Sequence, residues 1–207
     1  MLPIDSKLIA YFYGQIIRKM IKLIRLITVL LLVINASGAM AQKQEEVCYN
    51  PNLVKDTSKK SIKSMAFALM GDDSMKIVYH SPGVRNRVIW GGLVPYDDVW
   101  VTGAHDATTL EFKEAIVIDG KTIQPGKYAI FTIPGKKTWT FIINSNWQQH
   151  LASEYEQAED IIRLQVKPKK NTHTERLQYF IETTEAKKGQ LSMAWEKKMI
   201  QVPFTIR

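Results

Sequence analysis

The stretch Ile116-Val117-Ile118-Asp119-Gly120-Lys121-Thr122-Ile123-Gln124-Pro125-Gly126-Lys127-Tyr128-Ala129-Ile130-Phe131-Thr132-Ile133-Pro134-Gly135 decides the fold class. Ile116 to Ile118 runs into Asp119-Gly120, a strong hairpin signal because the tightest hairpin turns need left-handed backbone at both central residues. Gln124-Pro125-Gly126 turns the chain again. Tyr128, Ile130 and Thr132 then alternate with Ala129, Phe131 and Ile133, and Pro134-Gly135 ends that run. Alternation with period two places successive side chains on opposite faces of a strand, so this is a run of short antiparallel strands.

The same grammar extends outward in both directions. Towards the N-terminus, Phe67 and Leu69, a Gly71-Asp72-Asp73 turn, and Met75, Ile77 and Tyr79 predict another hairpin, and Leu110 and Phe112 a further strand. Towards the C-terminus, alternating sets fall at Trp139 to Ile143, Ile162 to Val166, Leu177 to Ile181, Leu191 to Trp195 and Val202 to Ile206. One stretch differs. Leu151, Tyr155 and Ala158 are spaced by four and three, which predicts a short helix near 151–160, with Ser153 and Glu156 as a capping box. The expected architecture is all-β: a single antiparallel β-sandwich of about nine or ten strands with that one short helix.

Residues 1–41 read as an export signal. Lys22 and Arg25 precede an apolar run from Leu26 to Ile34, and Ala39-Met40-Ala41 offers the small residues that signal peptidase requires. Cleavage is expected after Ala41 and translation from Met20. The run is shorter than the roughly 20 apolar residues that cross a bilayer, so no stable membrane insertion is expected once the signal is gone. Cys48 follows Glu45, Glu46 and Val47, which is no lipoprotein cleavage box. These features predict an exported protein, periplasmic or extracellular, with a polar, flexible lead-in over 42–64 and the sandwich over 65–207.

Composition narrows the function classes. With 207 residues, 45% of them hydrophobic and 23% charged, the chain is neither a disordered polar polymer nor a membrane bundle. Its formal charge is +8, but half of that leaves with residues 1–41, which hold Lys7, Arg18, Lys19, Lys22 and Arg25 against Asp5. The remaining cations are scattered or paired in turns, and no nucleic-acid reading module accompanies them, so no nucleic-acid partner is expected. A single cysteine excludes multi-cysteine metal centres. His80, His105, His150 and His173 show no ligand spacing, so neither a metal nor another cofactor is expected.

The densest candidate for function is Trp100 to Thr109, which packs an aromatic, a glycine, His105-Asp106 and three hydroxyls into ten residues between strands. Arg87, Trp90, Trp100, Thr102, His105, Asp106 and Thr108 are the candidate ligand-binding residues: a guanidinium for an anion, indoles for stacking, and the rest for hydrogen bonds. His80 stands beside them and could meet His105 in space. No catalytic residue is assigned, because Ser81, Ser145 and Ser153 lack a nucleophile elbow and neighbouring His105 and Asp106 point apart on extended backbone.

Two blocks, Tyr79-His80-Ser81-Pro82-Gly83-Val84-Arg85-Asn86-Arg87-Val88-Ile89-Trp90-Gly91-Gly92-Leu93-Val94-Pro95-Tyr96 and Val99-Trp100-Val101-Thr102-Gly103-Ala104-His105-Asp106-Ala107-Thr108-Thr109, resemble the family called domain of unknown function 2911. Gln124 to Gly135, Trp139 to Asn144 and Trp195-Glu196-Lys197 continue the likeness, from about Met65 to the C-terminus. The resemblance implies an exported bacterial protein and no particular activity. It also marks departures: Ser81 and Val101 stand where members often carry arginine, His105 where they often carry asparagine, and His150-Leu151 near a usual tryptophan-glycine pair. An anion held by those two arginines in relatives would be held weakly or not at all here. The reading expected from the residues is an exported, non-catalytic module whose partner is a small polar ligand, a carbohydrate or an envelope protein. The alternatives are a hydrolase or lyase using His105 with Asp106 or another carboxylate such as Glu111, and a structural envelope protein.

Overall fold

The computed structural model describes residues 14–15, 17–28, 47–54, 58–70, 73–185 and 187–207. The chain divides into two units, Met1–Gln44 and Glu45–Arg207. In the first, residues 14–15 and 17–28 are helical. The Ala39-Met40-Ala41 cleavage site and most of the apolar run lie outside the described residues, as does the Gly71-Asp72 turn. No helix among the described residues is long and apolar enough to cross a membrane.

The second unit holds ten strands: β1 Ser61–Met70, β2 Asp73–Pro82, β3 Thr108–Phe112, β4 Ile116–Ile118, β5 Lys121–Ile123, β6 Gly126–Ile133, β7 Trp139–Asn144, β8 Asp160–Val166, β9 Lys169–Glu185 and β10 Lys188–Ile206. They form two antiparallel sheets, ordered β1-β2-β3-β6-β7-β8 and β5-β4-β10-β9. The sandwich expected from the alternation is therefore the fold. On β2, Met75, Ile77 and Tyr79 are buried while Lys76, Val78 and His80 face partly outward. Leu110, Phe112, Ile130, Phe141 and Ile143 extend that inner face and meet Leu177, Tyr179, Leu191, Met193, Val202 and Phe204 of the smaller sheet. Asp119 (φ 49°) and Gly120 (φ 75°) make the left-handed β4–β5 turn that the Asp-Gly pair predicts.

Three local features depart from the sequence reading. The segment near 151–160 is two single 3-10 turns, Ala152–Glu154 and Gln157–Glu159. Leu151 is left-handed (φ 68°) and extended Glu156 separates the turns, so Ser153 lies inside the first turn and caps nothing. Leu191–Trp195 and Val202–Ile206 belong to one strand, β10, that bulges at left-handed Glu196 (φ 54°) where its register against β9 shifts. Finally, β1 starts at Ser61, before the boundary expected at Met65. The Cys48 N–H donates to the Lys63 carbonyl at 3.0 Å and the Met65 N–H to the Cys48 carbonyl at 2.9 Å, while the Asn52 side chain binds the Arg176 carbonyl at 3.0 Å. Part of the polar lead-in thus carries strand hydrogen bonds, which composition does not register.

What positions the candidate site is the outer face of the six-stranded sheet. A second, smaller core of Val101, Ala107, Ala129, Phe131 and Ile142 lies apart from the main one, with Trp147, Ala152 and Tyr155 packed on it. Two long connections supply its cover: residues 83–107 between β2 and β3, and residues 145–159 between β7 and β8. They meet where Ala107 N–H donates to the Gln149 carbonyl at 2.9 Å and Leu151 N–H to the His105 carbonyl at 3.1 Å.

Candidate functional site

The first connection is pinned by buried hydroxyls. Thr102 is left-handed (φ 54°), a costly state for a β-branched residue. Its carbonyl accepts from Thr108 Oγ1 and from Tyr179 Oη, each at 3.0 Å, and its own Oγ1 reaches Thr132 Oγ1 at 3.1 Å. Gly103 fits beneath because a Cβ there would lie 2.9 Å from Thr108 Oγ1 and 3.1 Å from the His80 carbonyl oxygen. The held loop then releases two side chains in divergent directions. His105, also left-handed (φ 62°), sets Nε2 2.9 Å from Ser61 Oγ, whereas Asp106 Oδ1 lies 2.8 Å from His150 Nδ1. The His105–Asp106 pairing considered for hydrolysis is not formed, and Glu111 instead pairs with Lys76 at 3.0 Å.

This divergence produces two clefts that share the His105–Asp106 ridge. One, of about 340 Å³, is lined by Lys63, His80, Asp106, Lys127, Trp147 and His150, among others. Lys127 Nζ sits 3.7 Å above the Trp147 ring, a cation–π contact that holds the ammonium at the rim. The other, of about 310 Å³, is lined by Arg87, Leu93, Trp100, His105, Leu151 and Trp195, with Lys60 and Ser61 beside them. The His80 and His105 rings, 5.2 Å apart and nearly perpendicular, bring the two clefts within one side chain of each other.

Of the residues singled out in the sequence, Arg87, Trp100, His105 and Asp106 line these clefts. Thr102 and Thr108 are fully buried and serve the loop backbone. Trp90 is drawn into an aromatic cluster, 4.6 Å from Trp139 and 5.8 Å from both Trp100 and Trp195, so it packs among indoles. His150, which shows no ligand spacing in the sequence, is hydrogen-bonded to Asp106; its partner is 44 residues away in sequence, and no local pattern announces it. Trp147, Lys63 and Lys127 likewise join the site only through the fold. Among the described residues, no three histidine, cysteine, aspartate or glutamate side chains converge as a metal set.

A family model described as protein of unknown function (DUF2911) matches residues 58–204. The chain belongs to the DUF2911 family. No curated protein and no solved structure matches it. In this DUF2911 chain both clefts, and all but the most peripheral residues of the sandwich, fall inside the matched span.

The electrostatics of the ridge yield a pH prediction. The hydrogen bond from His150 holds the Asp106 carboxyl below its ordinary value; burial opposes the shift, and the neighbouring charges of His80, His150 and His105 add to it. A carboxyl whose folded value is depressed contributes stability that is present above its unfolded value of about 3.9 and is lost as pH falls through the folded value. Asp106→Asn should therefore flatten the acid limb of stability by removing that contribution above the window, a small loss at neutral pH because the pair is exposed, while leaving stability below the folded value unchanged. Carboxyl-detected NMR titration of wild type should show Asp106 titrating below ordinary aspartates; an unshifted Asp106 would contradict the pairing.

Proposed function

We propose that this chain is an exported binding module that holds a small polar ligand in the cleft around Asp106 and His150. The export part rests on the charged leader, apolar run and Ala39-Met40-Ala41 of residues 20–41. The binding part rests on one observation: an open cleft of about 340 Å³ in which a carboxylate, two imidazoles, two ammonium groups and an indole converge on a backbone held in a strained conformation. Such a set offers both donors and an acceptor to hydroxyls or to an anion, with an aromatic edge for an apolar ring face. Nothing here needs a bond to be broken.

The test is thermal shift of the mature chain against sugars, polyols and organic anions. A ligand at a hundred times its dissociation constant adds about 2.7 kcal/mol, or roughly 5–10 °C for a domain of this size. At least one compound should give such a shift in wild type, and Asp106→Ala and His150→Ala should each remove most of it. Shifts that survive both changes would place binding elsewhere; no shift with any compound would favour a structural envelope role.

One contact favours a second, catalytic reading. His105 Nε2 lies 2.9 Å from Ser61 Oγ, which is the spacing of a base and a hydroxyl nucleophile. Turnover of an ester panel that disappears in Ser61→Ala would support it, and an unreactive wild type would remove it.

A further inference from the structure

The second cleft has a chemistry of its own. Its floor and walls are apolar: Trp100, Trp195, Val94, Val101 and Pro82, continued to the surface by Leu93 and Leu151. The last two are 46% and 48% exposed, a large amount for leucine on a folded domain, and they flank the same opening. At the rim stand Lys60, Arg87 and His105, and among the described residues no aspartate or glutamate lines the cleft. An apolar trough with cations and no carboxylate at its edge is complementary to an anion that carries an apolar body.

Two details make this more than a surface dimple. The Arg87 guanidinium is oriented by its own loop, with Nε and Nη2 donating to the Val84 and Gly83 carbonyls, and its remaining donors have no acceptor among the described residues. Trp195, only 1% exposed and stacked on Trp100, also lines the cleft, so its apolar wall is anchored in the main core.

We infer that this cleft binds a small organic anion with an apolar body, its head group between Arg87, Lys60 and His105 and its body against Trp100, Trp195, Leu93 and Leu151. The inference goes beyond the polar cleft and stands without it. The cations are this chain's own: Val101 lies in the apolar lining, and Arg87 comes from the preceding loop.

Octanoate is the probe, followed through tryptophan fluorescence of the mature chain, because two indoles line the cleft. The signal should saturate, and octan-1-ol, which lacks the charge, should bind about tenfold more weakly or worse. Arg87→Gln should weaken octanoate by about tenfold or more for the same reason. Because Arg87 also supports its loop, Leu93→Glu gives the independent check: a carboxylate at an exposed wall should weaken octanoate at least as much while circular dichroism stays unchanged. Lys187→Gln, an equal loss of charge in the β9–β10 turn, should leave binding unchanged. A response that does not saturate, an alcohol that binds as tightly as the acid, or an unaffected Leu93→Glu would each overturn the inference.

Discussion

Trp195→Ala is expected to lower stability by about 3–5 kcal/mol, the usual cost of emptying a fully buried aromatic site. Trp195 is 1% exposed, stacks on Trp100 with ring centres 5.7 Å apart and 21° between planes, and meets Trp90 at 5.8 Å. Trp139, at 4.6 Å from Trp90, completes a cluster of four indoles that seals one region between the sheets. None of the other three can collapse into the space, since each is held by the rest, so the cavity term should add to the lost transfer energy. The midpoint of thermal unfolding should fall on the order of 10 °C. Urea unfolding should place Trp147→Ala, at a half-buried loop position with one cation–π contact, within roughly 1–2 kcal/mol of wild type. Comparable losses at the two positions would mean that the indole cluster does not bear the load assigned to it.

The second large effect is expected at Asn144, a fully buried polar residue at the end of β7. Its Nδ2 donates to the Glu156 carbonyl at 3.1 Å and to Asp160 Oδ1 at 2.9 Å; its Oδ1 accepts from the Asn146 N–H at 2.9 Å and from Gln149 Nε2 at 3.2 Å. One side chain thus ties both ends of the connection that presents Trp147, His150 and Leu151. Tyr155, whose hydroxyl is pushed up to about 12 by burial and then by Asp160, stays neutral and donates to the same Asp160 that Arg163 pairs with at 2.7 Å. Asn144→Ala strands one buried and three part-buried partners at once and should cost about 2–4 kcal/mol. It should also blunt ligand shifts at both clefts, because His150 and Leu151 ride on the loop it holds. Hydrogen exchange that quickened only beyond 144–160, with this loop as protected as before, would contradict that role.

Much of the fold was legible because it is local. Asp119-Gly120, Pro134-Gly135 and the alternations of β2, β6 and β7 are decided by neighbours in sequence. What was not legible depends on distant contacts. The bulge at Glu196 joins two alternating sets into one strand, and no glycine marks it, because its left-handed state is imposed by pairing with β9. Likewise the apparent helix at 151–160 yields to Asn144 and Asp160, which take up Glu156 and its surroundings before a full turn can propagate. The candidate site divides in the same way. Trp100, His105 and Asp106 were visible as a dense polar and aromatic run, and Arg87 as a guanidinium ahead of it. The hydroxyls of Thr102 and Thr108 turned inward to hold a strained loop, and His150 and Trp147 arrived from the other connection.

The central claim is that ligands settle on either side of the His105–Asp106 ridge. It is tested most directly by crystals of the protein soaked with a library of small polar and anionic fragments. The account predicts density beside Asp106 and His150, and separate density between Arg87 and the Trp100–Trp195 wall. Fragments bound repeatedly elsewhere on the sandwich, with both clefts holding only solvent, would contradict it.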